Sequence, residues 1–389
     1  MPRKLLADRV QGLTPSATVS LPDKARALKN EGVEVIDLSE GQPRFDTPKP
    51  IKRAAKEALD SGMVFYIQSR GLPELLSEIR TKLEQDSGID VPTSQIIVTV
   101  GAKHAVANAI LCTINPGDEV LIPDPYWGTH AALVTLSGGI PVSVPMLPED
   151  DFRIDISKLN ELVNPKSKMI ILNSPHNPTG MVISREDMES IADICIKDEI
   201  LAMSDEIYEK MVYDGAKHYS IGSFPGMEDL AITVNGFSKT YSMTGLRLGY
   251  VAANKEIIGK MLIVQQHSVT HPAAFVEKAG IVGLRDCEKY VRDMVKDYQR
   301  ARDFFVPELS KLGIFKCDEP RGAFYAFPKI VKESMDSGKI CDFLLEKARV
   351  LAVPGSGFGN YGEGYVRFVY AQQMDTLKKT IDRIKSAVQ

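Results

Sequence analysis

Between about residues 95 and 255 the chain alternates short apolar runs with longer amphipathic stretches. The runs are IIVTV (96–100), EVLIP (119–123), PVSVP (141–145), MIIL (169–172), ILAM (200–203) and AITV (231–234). Several are apolar at every position, the pattern of strands covered on both faces, which predicts a largely parallel sheet. Between them, residues 102–115 place apolar side chains at helical spacing. Residues 184–198 open with Ser184 and carry Asp187 three positions on, an arrangement that predicts a capping box. Alternating strands and helices define an α/β unit, and such units bind ligands beyond the carboxyl ends of their strands.

The texture changes after about residue 285. Residues 286–312 read as one or two charged amphipathic helices. Short strands follow in GAFYAFP, VLAVP and YVRFVYA, and DTLKKTIDRIKSAVQ reads as a closing helix. The expected organisation is a large α/β domain, residues 45–285, with a mostly parallel central sheet. Residues 1–44 and 286–389 are expected to form a smaller α+β domain.

Composition narrows the function. Of the 389 residues, 44% are hydrophobic and 25% charged, which is globular composition. A net charge of −4 gives no basic footprint, so nucleic acid is not an expected partner. No apolar run reaches the roughly 18 residues of a membrane span, and the N-terminus lacks the apolar core of a signal peptide. The five cysteines are scattered and form no C-x-x-C, as expected of reduced thiols in a cytoplasmic protein. The six histidines form no metal-binding spacing, so no metal site is expected.

The residues standing just past each run carry the chemistry. Gly101, Ala102 and Lys103 open a helix after the first run, and free N–H groups there suit a phosphate. Trp127 follows the second run, Asn173 and Asn177 the fourth, Asp205 and Tyr208 the fifth, and Lys239 and Arg247 the sixth. Singly, each has an ordinary explanation: a solvated lysine, an N-cap aspartate, a core tryptophan, an Asn-Pro turn. Together, in order, at the ends of successive strands, they supply what a flat, phosphorylated heteroaromatic aldehyde needs: pyridoxal 5′-phosphate.

With GFSKTYSMTGLRLG (236–249), NSPHNPTG (173–180), SDEIY (204–208), YIQSRGLPEL and GEGYVRFVYA in hand, the chain resembles the class I aminotransferases, fold-type I pyridoxal-phosphate enzymes. The resemblance runs from about residue 8 to the end. It implies that Lys239 joins the cofactor aldehyde and, once freed, moves the proton between the substrate Cα and C4′. Arg247 matches the bidentate phosphate clamp, with Gly101, Ala102 and Lys103 at the phosphate-binding helix start. Asp205 matches the carboxylate that pairs with the pyridine nitrogen and makes the ring an electron sink. Tyr208 and Asn177 match the groups bonding the ring's phenolic oxygen, and Trp127 the aromatic stacked on its face. Arg367 matches the arginine for the substrate α-carboxylate, helped by Asn177 and the backbone at Gly41. Tyr66 matches a tyrosine sent into the neighbouring subunit's phosphate site, which implies a homodimer with shared active sites.

The implied reaction is ping-pong transfer of an amino group from an L-amino acid to 2-oxoglutarate. Lys103 and LTPSAT (13–18) resemble the prokaryotic aspartate branch, where they approach the substrate's distal carboxylate. The C-terminal half is as similar to archaeal-type aromatic and broad-specificity enzymes, and a lyase on the same scaffold shares the lysine and the electron sink. Gln42 and Arg44 stand where the family commonly has Glu and Asp, and His176 where a small or amide residue is usual. Arg44 either attracts acidic substrates or forms a salt bridge. Among other classes, GFGNYG (357–362) has the spacing of a dinucleotide fingerprint, but a strand follows where a helix should begin. SGKI (337–340) lacks the rest of a Walker A loop, and no G-x-S-x-G is present. Because the resemblance already covers residue 8, no DNA-binding segment of a regulatory relative is expected.

Overall fold

The computed structural model describes residues 5–389 apart from 14, 16, 333 and 334. Its centre is an eight-stranded sheet. From edge to edge the order is Ile96–Thr99, Gly249–Ala253, Ala231–Gly236, Leu201–Asp205, Ser167–Asn173, Glu119–Asp124, Ile140–Leu147 and Arg153–Ile154. The four pairings from Ala231–Gly236 across to Ile140–Leu147 are parallel. Gly249–Ala253 is antiparallel to both its neighbours, and Arg153–Ile154 is an antiparallel edge.

All six apolar runs are strands, and their alternation explains the two-sided cover. Val120, Ile122, Met169, Ile171, Met203, Ile232 and Val234 face the helices Ala102–Thr113 and Lys255–Ser268, where they meet Ala105, Val106, Ala109, Ile110 and Met261. The intervening Leu121, Ile170, Leu172 and Ala202 face the other way, onto Met188 and Ile191 of the helix Arg185–Asp198. Farther along that face, Ile96, Val98, Tyr250 and Ala252 pack on Leu75, Leu76 and Ile79 of Pro73–Lys82 and on Ala279 of Ala274–Asp286. Burial of each such side chain stabilises the fold by about 1.5–3 kcal/mol.

Half of the expected capping box forms. Ser184 Oγ accepts the Asp187 N–H at 3.0 Å, but the Asp187 carboxylate does not reach back. It takes Arg153 instead, at 3.0 and 2.5 Å, tying the helix to the sheet's edge strand.

Residues 286–312 form one helix, Glu288–Lys311, and the closing helix is Met374–Val388. Beside them, Tyr325–Ala326, Val366–Val369 and Val353–Pro354 make a three-stranded antiparallel sheet. The N-terminal segment joins this part. Ile36–Asp37 pairs in parallel with Val350–Leu351, and Leu38 O accepts the Val369 N–H at 2.9 Å. Ile36 and Leu38 share one core with Met294, Phe305, Phe324, Phe368 and Ile381. The consequence for function is positional: the pairing lays residues 39–42 across the carboxyl ends of the central strands.

Candidate active site

The parallel register sets the site. Asn173 pairs with Asp205, and Asp205 with Val234, so the last residues of two strands stand side by side, next to a third strand that runs two residues farther to Gly236. Over this edge lies a cavity of about 340 Å³, whose walls include Gly41, Lys103, Trp127, Asp205, Lys239 and Arg367. Of the residues singled out from the sequence, Ala102, Asn177, Tyr208 and Arg247 also line it. Gly101 does not line it, though Ala102, the next residue, does. Tyr66 is elsewhere: it lies on the surface, 88% exposed, edge-on to His271 with ring centroids 5.7 Å apart.

Lys239 follows the strand Ala231–Gly236 after two buried residues, Phe237 and Ser238. Its Nζ donates to the Gly41 carbonyl, which joins the sheet edge to the N-terminal segment. Burial pulls its pKa down to about 8, and the nearby Arg367 and Arg247 charges push the same way. An amine of that pKa keeps about a tenth of its population neutral, and therefore nucleophilic, at pH 7, far more than an ordinary lysine does.

One end of the cavity is built for an anion. The helix Ala102–Thr113 begins at Gly101, whose φ is +77°. A Cβ there would sit 2.6 Å from Arg247 Nη2, so glycine lets the guanidinium close over the helix start. Arg247 donates to Thr244 O at 2.8 Å and makes no ion pair with any described residue. Free helix N–H groups and a guanidinium with no ion pair to a described residue, on one wall, could hold a phosphate.

Arg367 is 1% exposed. Its Nη1 donates to Asn177 Oδ1 at 2.9 Å and its Nη2 to Ser39 O at 2.5 Å, while Nε has no partner. The guanidinium lies 4.6 Å from the Tyr325 ring centre and 4.9 Å from that of Phe358, and burial lowers its pKa. A buried cation with no ion pair to any described residue is poised for an incoming carboxylate.

Asp205, 3% exposed, lies with Oδ2 3.4 Å from His130 Nε2, and its Oδ1 accepts the Ile207 N–H at 3.3 Å. Asn173 Nδ2 donates to the Asp205 carbonyl at 2.8 Å, and Asn173 Oδ1 accepts the Asn177 N–H at 2.9 Å. The Tyr208 and Tyr325 hydroxyls share a 2.5 Å hydrogen bond, and burial raises the Tyr208 pKa well above its ordinary value. Trp127 stands edge-on to His130 at 5.2 Å, with Lys103 Nζ 4.9 Å from the Trp127 ring centre. Burial and the Arg247 charge lower the Lys103 pKa.

Pyridoxal 5′-phosphate fits this set. The anion-binding wall, the amine of lowered pKa, the fixed carboxylate and the indole share one cavity with room for a flat ring. Each offers the complementary chemistry to one part of that molecule.

Three further residues need placing. Arg44 is out of the cavity: it pairs with Asp297, donates to the Gln372 carbonyl and lies 4.7 Å from the Phe45 ring centre. It is a salt bridge rather than a charge at the mouth. His176 is buried behind the Asn173–Asn177 loop, with Nδ1 2.8 Å from Thr179 Oγ1, and burial drives its pKa down to about 3. Gln42 does line the cavity, beside Thr244. The hydroxyls of LTPSAT fall outside the described residues.

Sequence reasoning missed Tyr325 and Glu40 on the cavity wall. The fold also gathers Glu206, Glu209 and His218, with potential ligand atoms within 4.8 Å of one another, from positions with no metal-binding spacing. That group is internally occupied: Lys82 donates to Glu209, and Glu206 accepts from Ser220 Oγ at 2.5 Å.

Comparison with known proteins agrees with this geometry. The model of the family "Aminotransferase class I and II" matches residues 33–384, and the chain belongs to that family. It is an aminotransferase on the fold-type I scaffold. It is 42% identical to an aspartate aminotransferase of Pyrococcus abyssi, over 98% of both chains. It is 39% identical to aromatic-amino-acid aminotransferase 2 of Thermococcus litoralis, again over 98% of both. Among solved structures, aspartate aminotransferase from Thermus thermophilus with maleate superposes with a TM-score of 0.95 at 36% identity, over 99% of this chain and 100% of that one.

Proposed function

We propose that this chain uses pyridoxal 5′-phosphate to transfer the amino group of an L-amino acid, with aspartate the preferred donor, to 2-oxoglutarate. The observation that carries the reading is the convergence of Lys239, Asp205, Arg247 and Arg367 on one cavity, with neither arginine ion-paired to any described residue. The cofactor would supply an aldehyde that takes up amino groups and a ring that withdraws electrons.

Arg247 and the Gly101–Lys103 helix start hold the phosphate. Asp205, oriented by His130 and the Ile207 N–H, would face the ring nitrogen. Tyr208 and Asn177 face the ring's phenolic oxygen, and Trp127 covers one face. Arg367 and Asn177 bind the substrate α-carboxylate, with the Gly41 backbone above. Lys239 Nζ takes the proton from the substrate Cα and returns it on the other side of the reaction. Its reduced pKa suits it to both acts at one pH.

For the donor, the observation is Lys103. Its ammonium lies on the cavity wall with no ion pair to any described residue, at a helix start where a lysine is otherwise disfavoured. A second carboxylate on the substrate relieves that. The maleate bound by the Thermus relative is a dicarboxylate of this kind. The aromatic reading keeps one observation of its own: Lys103 sits over the Trp127 ring in a cation–π contact, leaving an indole surface for an aromatic side chain.

The working unit is a homodimer in which Tyr66 enters the partner's phosphate cradle. Val64, Phe65 and Tyr66, 64, 79 and 88% exposed, form the apolar edge it would bury. Residues 45–285 are the cofactor-binding domain, with 1–44 and 286–389 the smaller one. No helix among the described residues is long and apolar enough to cross a membrane, and a cytoplasmic location suits the five free cysteines.

The deciding experiment is a panel of amino donors with 2-oxoglutarate. Aspartate giving the highest kcat/KM is expected. Phenylalanine or tyrosine leading would transfer the assignment to the aromatic class, and release of ammonia or CO₂ without need of an oxo acid would point to a lyase.

A further inference from the structure

Tyr208 does not face the cavity alone. Its hydroxyl and that of Tyr325 share a 2.5 Å hydrogen bond, and neither oxygen bonds any other described residue. Tyr325 is 1% exposed, and its strand, Tyr325–Ala326, pairs with Val366–Val369, which carries Arg367. The Arg367 guanidinium lies 4.6 Å from the Tyr325 ring centre, whereas the rings packed edge-on to Tyr208 are Phe324 and Tyr325 itself. A Cβ at Gly41 would meet the Tyr325 hydroxyl at 2.6 Å, so glycine there leaves the hydroxyl its place. Burial raises the pKa of both phenols, with Arg367 and Asp205 the charges acting on the pair, so both stay protonated. One hydrogen bond between two hydroxyls uses one proton of two, and only the acceptor keeps its own for the cavity.

The Arg367 contact sets the direction. A cation against the face of a phenol draws electron density from its oxygen, which makes that hydroxyl the better donor and the poorer acceptor. We propose that Tyr325 is a positioning residue: it donates to the Tyr208 oxygen and so leaves the Tyr208 proton for the cofactor's phenolic oxygen. This rests on the pyridoxal-phosphate reading of the same cavity. In such a chain each bond polarises the next, strengthening the one to the cofactor by roughly 10–30%. A donor at the phenolic oxygen stabilises its negative charge, and that charge is what holds a proton on the nitrogen joining Lys239 to the cofactor. The stronger the donor, the lower the pKa of that nitrogen. The reverse direction has the reverse effect, because a Tyr208 that donates to Tyr325 is withheld from the cofactor.

The test is a pH titration, by absorbance, of the pyridoxal-phosphate-loaded protein in wild type, Tyr325→Phe, Tyr208→Phe and the double variant. Phenylalanine keeps each ring and, at position 325, the Arg367 contact. Tyr325→Phe should raise the midpoint by roughly 0.2–0.6 pH unit, the share of a charge-assisted hydrogen bond that polarisation supplies. Tyr208→Phe removes the whole bond and should raise it by about 1–2 pH units. Adding Tyr325→Phe to Tyr208→Phe should then move it by no more than about 0.1 pH unit, because Tyr325 acts through Tyr208. Tyr325→3-fluorotyrosine keeps the hydroxyl and makes it more acidic, so it should lower the midpoint. A midpoint that falls in Tyr325→Phe would reverse the direction of the bond and overturn the proposal. An unchanged midpoint, or the same shift with and without the Tyr208 hydroxyl, would overturn it as well. Failure of the cofactor reading would show separately, as wild-type protein that takes up no pyridoxal phosphate.

Discussion

A lysine that must attack an aldehyde near neutral pH has to shed its proton, and the site gives Lys239 a pKa of about 8 in place of 10.5. Burial is the larger cause; Arg367 and Arg247 follow. The sign is that of a cation made costly: the folded protein favours the neutral amine, increasingly so as pH rises through 8. Roughly a tenth of the amine is then neutral at pH 7, half at pH 8 and nine-tenths at pH 9. An unshifted lysine would be only about 0.03% neutral at pH 7, so the site multiplies the reactive fraction some 300-fold. Stopped-flow mixing of cofactor-free protein with pyridoxal 5′-phosphate measures this directly. Capture should accelerate about fivefold from pH 7 to 8, less than twofold from 8 to 9, and then level. Arg367→Gln removes one of the two repelling cations and should move the midpoint upward. A rate that climbs about tenfold per pH unit to pH 10 would show an ordinary lysine and refute the reasoning.

Three other outcomes are expected. Asp205→Asn removes the negative charge facing the ring nitrogen and should lower kcat by about 10²–10⁴-fold with a much smaller change in ligand binding; equal losses in both would make the aspartate structural. Lys103→Ala should cut kcat/KM for aspartate by about tenfold or more while sparing phenylalanine, and a uniform loss would instead assign Lys103 to the cofactor. Glu277 is fully buried, with its Oε2 accepting the Leu72 N–H at 2.7 Å and its Oε1 unpaired, and burial raises its pKa to about 7. Raised above 4.5, it contributes stability fully present below pH 4.5 and lost as pH rises through 7. Glu277→Gln should therefore stabilise the protein by ~2–3 kcal/mol at pH 8, by under ~1 kcal/mol at pH 5 and by almost nothing near pH 4 in denaturant titrations; a pH-independent gain would contradict this.

The elements that were legible are those with a strong local pattern. Five largely buried strands announced themselves as apolar runs because cover on both faces removes polar alternation, and the sixth, Ile140–Leu147, did so while only partly buried. Lys239, Asp205 and Trp127 were legible because each follows such a run. The strand Gly249–Ala253 was not, since GYVAA is short and small-residue-rich, and Gly249 lies against Gly101 so closely that a Cβ would meet it at 2.6 Å. That strand earns its place by tertiary contact with the phosphate cradle rather than by propensity. Tyr325 sits 117 residues from Tyr208, its hydrogen-bond partner, and nothing local in GAFYAFP marks it. Glu40 becomes visible only once pairing of Ile36–Asp37 with Val350–Leu351 lays its segment over the sheet edge. Arg44 stayed open between two readings for the same reason: the partner that settles it as a salt bridge, Asp297, lies on a distant helix.

All of this depends on Lys239 carrying the coenzyme. Reduce the pyridoxal-phosphate-loaded protein with borohydride, digest it, and sequence the modified peptide by mass spectrometry. The phosphopyridoxyl mass should fall on Lys239 at one equivalent per chain, and Lys239→Ala should retain neither that mass nor multiple-turnover transamination. Label on another lysine, or a Lys239→Ala variant cycling at the wild-type rate, would contradict the assignment.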